Sequence, residues 1–107
     1  MADLEHVAAI FRVLANPIRL RIVAELAAPG RAEAPSVDPC VSDIATRLEI
    51  SRFTASFHLK ELCAAGVAVR HRSGRRWSHR LTDEVVNTID EWLFDLPPLP
   101  QALPTAP

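Results

Sequence analysis

Glycine is scarce in this chain, with three residues in 107, too few to suggest the loops that cradle phosphates in nucleotide-dependent enzymes. There are two cysteines, Cys40 and Cys63, at an unpatterned spacing that fits neither a disulfide framework nor a four-cysteine zinc module. No apolar run approaches the roughly 20 residues needed to cross a bilayer, and the N-terminus lacks a basic stretch followed by an apolar one. No membrane association is therefore expected, and the chain is read as cytoplasmic. What remains is ordinary globular material, 49% hydrophobic and 23% charged, in a length that suits one domain.

The formal net charge of −1 conceals a sharp asymmetry. Residues 52–80 hold one acid, Glu61, against Arg52, Lys60, Arg70, Arg72, Arg75, Arg76 and Arg80. Residues 81–107 hold Asp83, Glu84, Asp90, Glu91 and Asp95 and neither Lys nor Arg. A cationic block of this density suits a phosphate backbone, whose condensed counterions are released as the charges pair. A solvated basic surface is the plainer alternative.

Apolar periodicity divides the chain. Leu4, Val7, Ala8, Phe11 and Leu14 recur at helical spacing behind Asp3, a suitable cap. Asn16 and Pro17 then predict the cap and first turn of a second helix carrying Ile18, Ile22, Val23 and Leu26. The stretch 29–39, with three prolines, reads as a loop. Ile44 and Leu48 mark a short third helix. After a tight turn, Ser51 caps a fourth helix whose buried stripe is Ala55, Leu59 and Leu62, with Gly66 ending it in a left-handed conformation.

The period then switches from 3.6 to 2, predicting a hairpin around Ser73-Gly74. Val67, Val69, Leu81 and Trp77 are expected on one face, and Arg70, Arg72, Arg76 and Arg80 on the other. Thr82 caps a last helix striped by Val85, Ile89, Trp92, Leu93 and Leu96. Residues 97–107 form an uncharged proline-rich tail, expected to be extended and disordered. The expected organisation is one domain over residues 1–96 followed by this tail.

Two short helices at a tight turn followed by a basic hairpin make a winged helix-turn-helix: mainly α, about five helices plus a two-stranded wing. Three stretches make the chain similar to a known family, the ArsR/SmtB winged-helix transcriptional repressors, over roughly residues 4–96. LANPIRLRIVAEL (14–26) resembles that family's second-helix signature, SRFTASFHLKEL (51–62) its recognition helix, and the Gly74 to Leu81 spacing its wing. The resemblance implies a homodimer that binds an operator and represses transcription until an inducer binds.

With Ala55, Leu59 and Leu62 inward, Phe53, Ser56, Phe57 and Lys60 face outward, and Ser51, Arg52 and Thr54 lie in the first turn, the part that meets base edges in the major groove of double-stranded DNA. Arg52 is suited to guanine O6 and N7, Ser56 to a base edge or phosphate, and Phe53 and Phe57 to thymine methyl groups. Phe57 alternatively packs against the first helix or a partner subunit. His58 is a minor DNA-contact candidate. Arg70, Arg72, Arg75, Arg76 and Arg80 are the wing's candidates for the DNA backbone.

Leu4, Val7, Phe11, Ile89, Trp92, Leu93 and Phe94 exceed what a small core can cover and are expected to pair the terminal helices across a two-fold axis. Two recognition helices would then stand roughly 34–36 Å apart, matching a palindromic operator.

In the family's metal sensors a Cys-x-Cys pair opens the helix before the recognition helix. Here CVSD (40–43) puts Ser42 in place of the second thiol, and residues 83–96 contain no His for the family's other metal site. No metal site or cofactor is expected; Cys40 and Cys63 stand as candidates for redox or ligand sensing, and a small-molecule inducer is the open alternative. No nucleophile, base and acid arrangement has local support, so no enzymatic activity is expected. The rival to a sequence-specific regulator is a winged-helix module that binds DNA non-specifically or binds protein.

Overall fold

The computed structural model describes residues 3–28 and 38–98. Most of the 29–39 loop and of the 97–107 tail lies outside the described residues. Five helices and one hairpin follow in the order α1 (Leu4–Leu14), α2 (Pro17–Ala27), α3 (Val41–Leu48), α4 (Arg52–Ala64), β1 (Ala68–Ser73), β2 (Arg76–Leu81) and α5 (Asp83–Phe94). The expected winged helix-turn-helix is the fold observed.

The caps sit where the sequence places them, because each supplies a side-chain oxygen to an otherwise unpaired amide. Asp3 accepts from Glu5 N at 3.0 Å, Asn16 from Ile18 N and Arg19 N at 2.9 and 3.2 Å, and Ser51 from Thr54 N at 3.0 Å. Gly66, at φ +76°, closes α4 while Val67 N–H donates back to the Leu62 carbonyl at 2.9 Å. The turn between α3 and α4 adds a feature the sequence does not announce. Glu49 adopts φ +56°, and Ile50 N–H reaches the Ala45 carbonyl at 3.0 Å. A left-handed non-glycine residue costs roughly 1–2 kcal/mol, and at this position it reverses the chain tightly enough for Ser51 to start α4.

The core is a single cluster in which Ile22 of α2, Ile44 of α3, Leu59 and Leu62 of α4 and Val67 are sealed from solvent. Ile10 of α1 and Val85 of α5 close its ends. α3 packs on α4, and the hairpin leans on α2 and α4, so the wing and the fourth helix share one foundation. A further tie comes from Arg21, whose guanidinium donates to the Leu48 carbonyl at the C-terminal end of α3 at 3.1 Å.

The hairpin corrects the expected distribution of side chains. Its two-residue loop is Gly74-Arg75, one position later than expected, with Gly74 at φ +63° in the place that a type II′ turn gives to glycine. Such a loop pairs even-numbered residues of β1 with odd-numbered residues of β2: Ala68 with Leu81, Arg70 with His79 and Arg72 with Trp77. Val69, His71 and Ser73 share the opposite face with Arg80, Ser78 and Arg76. Grouping by apolarity misassigns the faces, since directly paired residues point the same way. Val69 and Trp77 are both exposed, and the four arginines divide two and two between the faces.

Candidate nucleic-acid interface

The buried face of α4 orients its polar face. With Ala55, Leu59 and Leu62 at 0–1% exposure, Arg52, Phe53, Phe57 and Lys60 stand outward and Thr54 and Ser56 are half-exposed. Phe53 is 83% exposed, a large apolar ring held in water at the start of the helix. Phe57 is half exposed and meets His58 edge-on at 5.2 Å. Ser51 and Thr54 are engaged in capping, the Ser51 hydroxyl lying 2.9 Å from the Thr54 hydroxyl.

His58 is a correction. It is buried, and its Nδ1 accepts from Arg19 Nε at 3.0 Å while Arg19 Nη1 donates to the Val13 carbonyl at 3.1 Å. Burial, with the Arg19 charge added, holds the imidazole pKa below its ordinary value despite the opposing pull of Glu61. A neutral ring accepting from a cation on α2 fixes the roll of α4 about its axis, and it is turned away from any ligand on the outer face.

The wing arginines fall into two groups by their partners. Arg76 Nη2 meets Asp43 Oδ2 at 2.6 Å and the Asp38 carbonyl at 3.1 Å; Arg80 donates through Nε and Nη2 to Asp38 Oδ2 at 3.1 and 3.0 Å. His71 Nε2 reaches the same Asp38 oxygen at 2.9 Å. These contacts strap one face of the wing to the segment that leads into α3. On the other face, the Arg70 guanidinium sits 4.2 Å from the Trp77 ring centre and Arg72 5.7 Å, contacts in the range of cation–π attraction. Among the described residues, Arg52, Lys60, Arg70, Arg72 and Arg75 have no carboxylate partner.

Burial raises the Asp38 carboxyl, but hydrogen bonds from His71 and Arg80 and their charges outweigh it, leaving the pKa below the ordinary 3.8. At Asp43, burial is likewise outweighed by the Cys40 N–H and by Arg76. A carboxyl whose pKa is depressed by folding lends stability that is complete above its unfolded value and is lost as pH falls through its folded one. Stability measured by urea unfolding at about pH 6 and about pH 3 is therefore expected to fall with acid, and the fall to shrink in Asp38→Asn. The pairs are half-exposed, so the variant costs no more than about 1 kcal/mol at neutral pH. An acid loss unchanged by Asp38→Asn would show that the strap does not titrate.

Two clefts bring the remaining groups together, one on either side of Trp77 and Val41. One of about 280 Å³ is bounded by Arg52 at the start of α4, Arg75 and Arg76 at the wing tip, and Cys40. The other, of about 510 Å³, gathers Ser56, Lys60 and Cys63 of α4 with Arg70. The two free thiols thus line separate clefts. Burial pushes the Cys63 thiol up, opposed by Arg70. No group of three or more His, Cys, Asp or Glu side chains among the described residues is placed to hold a metal ion. Sequence reasoning missed Asp38 and the Trp77 platform: Asp38 lay within a stretch read only as loop, and Trp77 was assigned to the wrong face.

At the other end, α1 packs on α5, with Phe11 and Trp92 edge to face at 5.3 Å. Leu4, Phe11, Leu93 and Phe94 remain exposed beside them, Phe94 at 89%. Val7 is a correction: at 3% exposure it belongs to the chain's own interior, because α1 turns it toward its neighbours rather than outward. Ile89 is half-buried against the same core.

A family model described as a helix-turn-helix domain matches residues 14–72. The chain is similar to the HTH-type transcriptional repressor SmtB of Mycobacterium tuberculosis, with 38% identity over 74 residues, covering 69% of this chain and 49% of that protein. It thus spans about half the length of that relative. Among solved structures, an ArsR-like transcriptional regulator from Rhodococcus sp. RHA1 is similar at TM-score 0.69 and 30% identity, covering 84% of this chain and 75% of that one. The homodimeric winged helix-turn-helix DNA-binding domain Mb0332 from Mycobacterium bovis is similar at TM-score 0.65 and 28% identity, covering 86% and 81%. With the element order, the Ser51-capped fourth helix and the basic wing already established, the chain belongs to the ArsR/SmtB family of winged helix-turn-helix, DNA-binding transcriptional regulators.

Proposed function

We propose that the chain is a homodimeric repressor that holds a palindromic operator through α4 and the Trp77 face of the wing, and releases it when an inducer binds. The carrying observation is the sorting of its cations: Arg52, Lys60, Arg70, Arg72 and Arg75 have no carboxylate partner among the described residues, whereas Arg76 and Arg80 are tied to Asp38 and Asp43. Unpaired cations meet phosphate without first giving up a partner. In this reading Arg52 and Ser56 read base edges, Phe53 meets thymine methyl groups, and Arg70, Arg72 and Arg75 follow the backbone. Arg76 and Arg80 set the angle of the wing.

The exposed faces of α1 and α5 support the dimer, as does likeness to a relative described as homodimeric. Leu93→Glu together with Phe94→Glu leaves the chain's own core intact, both side chains being exposed. The double variant is expected to run as a folded monomer in sedimentation and to bind a palindromic site at least about tenfold more weakly, since it engages one half-site at a time. The functional reading itself is tested by selecting sites from random duplexes and comparing the selected site with scrambled DNA at several salt concentrations. A preference of roughly 10³ or more supports it. A steep salt dependence without that preference would make the protein an architectural binder.

A further inference from the structure

The larger cleft beside α4 has a chemistry that DNA contact alone does not use. Its volume of about 510 Å³ falls within the range of small-molecule sites. Its lining includes Leu59 and His79, at 1% and 4% exposure, so it reaches side chains otherwise sealed inside the domain. A phosphate on the outside of a duplex has no need of such depth. Val41, Leu59 and Trp77 supply apolar surface. Two further lining groups are uncharged. Burial, with the charges of Arg70 and His71 outweighing a bond to the Pro39 carbonyl, keeps His79 neutral, and burial keeps the Cys63 thiol protonated against the pull of Arg70. No carboxylate lines the cleft, while Lys60 and Arg70 present two cations without acidic partners among the described residues. Arg70 is already held against Trp77, which lowers the cost of fixing it around a ligand.

We propose that this cleft binds a small organic anion with an apolar body, of the aromatic carboxylate class, and that its occupation displaces DNA. The apolar part is covered by Val41, Leu59 and Trp77, and the carboxylate is met by Lys60 and Arg70. Those two cations and Ser56 also belong to the surface assigned above to the duplex, so ligand and DNA compete for the same groups. The inference rests on the proposed reading of α4 and the wing as the DNA-binding surface.

The test uses the full chain and three probes: 2-naphthoate, its uncharged analogue 2-naphthalenemethanol, and inorganic phosphate. Calorimetric titration is expected to show saturable binding of naphthoate, at least about tenfold tighter than that of the alcohol or of phosphate. Amide NMR shifts should cluster in α4 and the wing. Lys60→Gln and Arg70→Gln are each expected to weaken naphthoate about tenfold or more, with the folded spectrum retained. Cys63→Met, which adds bulk to the lining away from the proposed DNA contacts, should weaken naphthoate while leaving DNA affinity in its absence within about twofold. Saturating naphthoate should release bound DNA. Naphthoate shifts confined to α1 and α5, insensitivity to both charge variants, or phosphate binding as tightly as naphthoate would each overturn the proposal. DNA affinity measured without naphthoate separates the two readings: DNA binding without naphthoate binding defeats this inference alone, and naphthoate binding without DNA binding defeats the functional one.

Discussion

Leu59→Ala is expected to destabilise the protein by about 2–5 kcal/mol, a large share of the roughly 5–15 kcal/mol that holds a domain together. Leu59 is 1% exposed and belongs to the one core cluster, packed among residues of α2, α3 and the hairpin. Removing its branched end leaves a cavity that flanking helices fill only in part. Urea unfolding at a fixed protomer concentration, necessary if the native state is a dimer, should show the midpoint falling with an unchanged slope. DNA affinity corrected for the folded fraction should fall much less than stability does. A loss under about 1 kcal/mol would mean that α4 is held from outside this core.

Arg52→Ala is expected to do the reverse. The side chain is exposed, has no carboxylate partner among the described residues, and stands at the start of α4, so stability should stay within about 0.5 kcal/mol. Operator affinity should fall by about 10- to 100-fold, corresponding to about 1–3 kcal/mol for a bidentate guanine contact, and discrimination at one base position per half-site should relax. Arg70→Ala provides the contrast: a loss spread evenly over all sequences, with the salt slope reduced by about 0.9 for each phosphate contact removed. Gel-shift titrations against the selected site and its single-base variants separate the two behaviours. Identical profiles for both variants would remove the division between base reading and backbone tracking.

The helices were legible because their signals are local. Asn16-Pro17, Ser51 and Thr82 each mark a helix start through a bond to an amide two or three residues on, and Ala55, Leu59 and Leu62 repeat at the helical period. The placement of Phe53 and Lys60 on the outer surface followed from the same period. The features that escaped depend on contacts remote in sequence. The bond from Arg19 to His58 spans 39 residues and turned a candidate DNA contact into a packing element. The link from Arg80 to Asp38 spans 42 and removed an arginine from the free set. Neither partner carries a sequence mark of the other. The faces of the wing were misread for a different reason: in a short hairpin the loop length sets which residues stand side by side, and hydrophobicity is a poor guide where Trp77 serves as a platform for cations.

The chain's two tryptophans occupy opposite ends of its proposed working surfaces, Trp77 under the arginines of the wing and Trp92 against Phe11 at the junction of α1 and α5. Each indole is therefore a built-in optical reporter for a different event. With one or the other replaced by phenylalanine, the remaining emission would follow nucleic-acid or ligand capture at Trp77 and subunit pairing at Trp92, so the order of assembly could be timed in solution without attaching a dye.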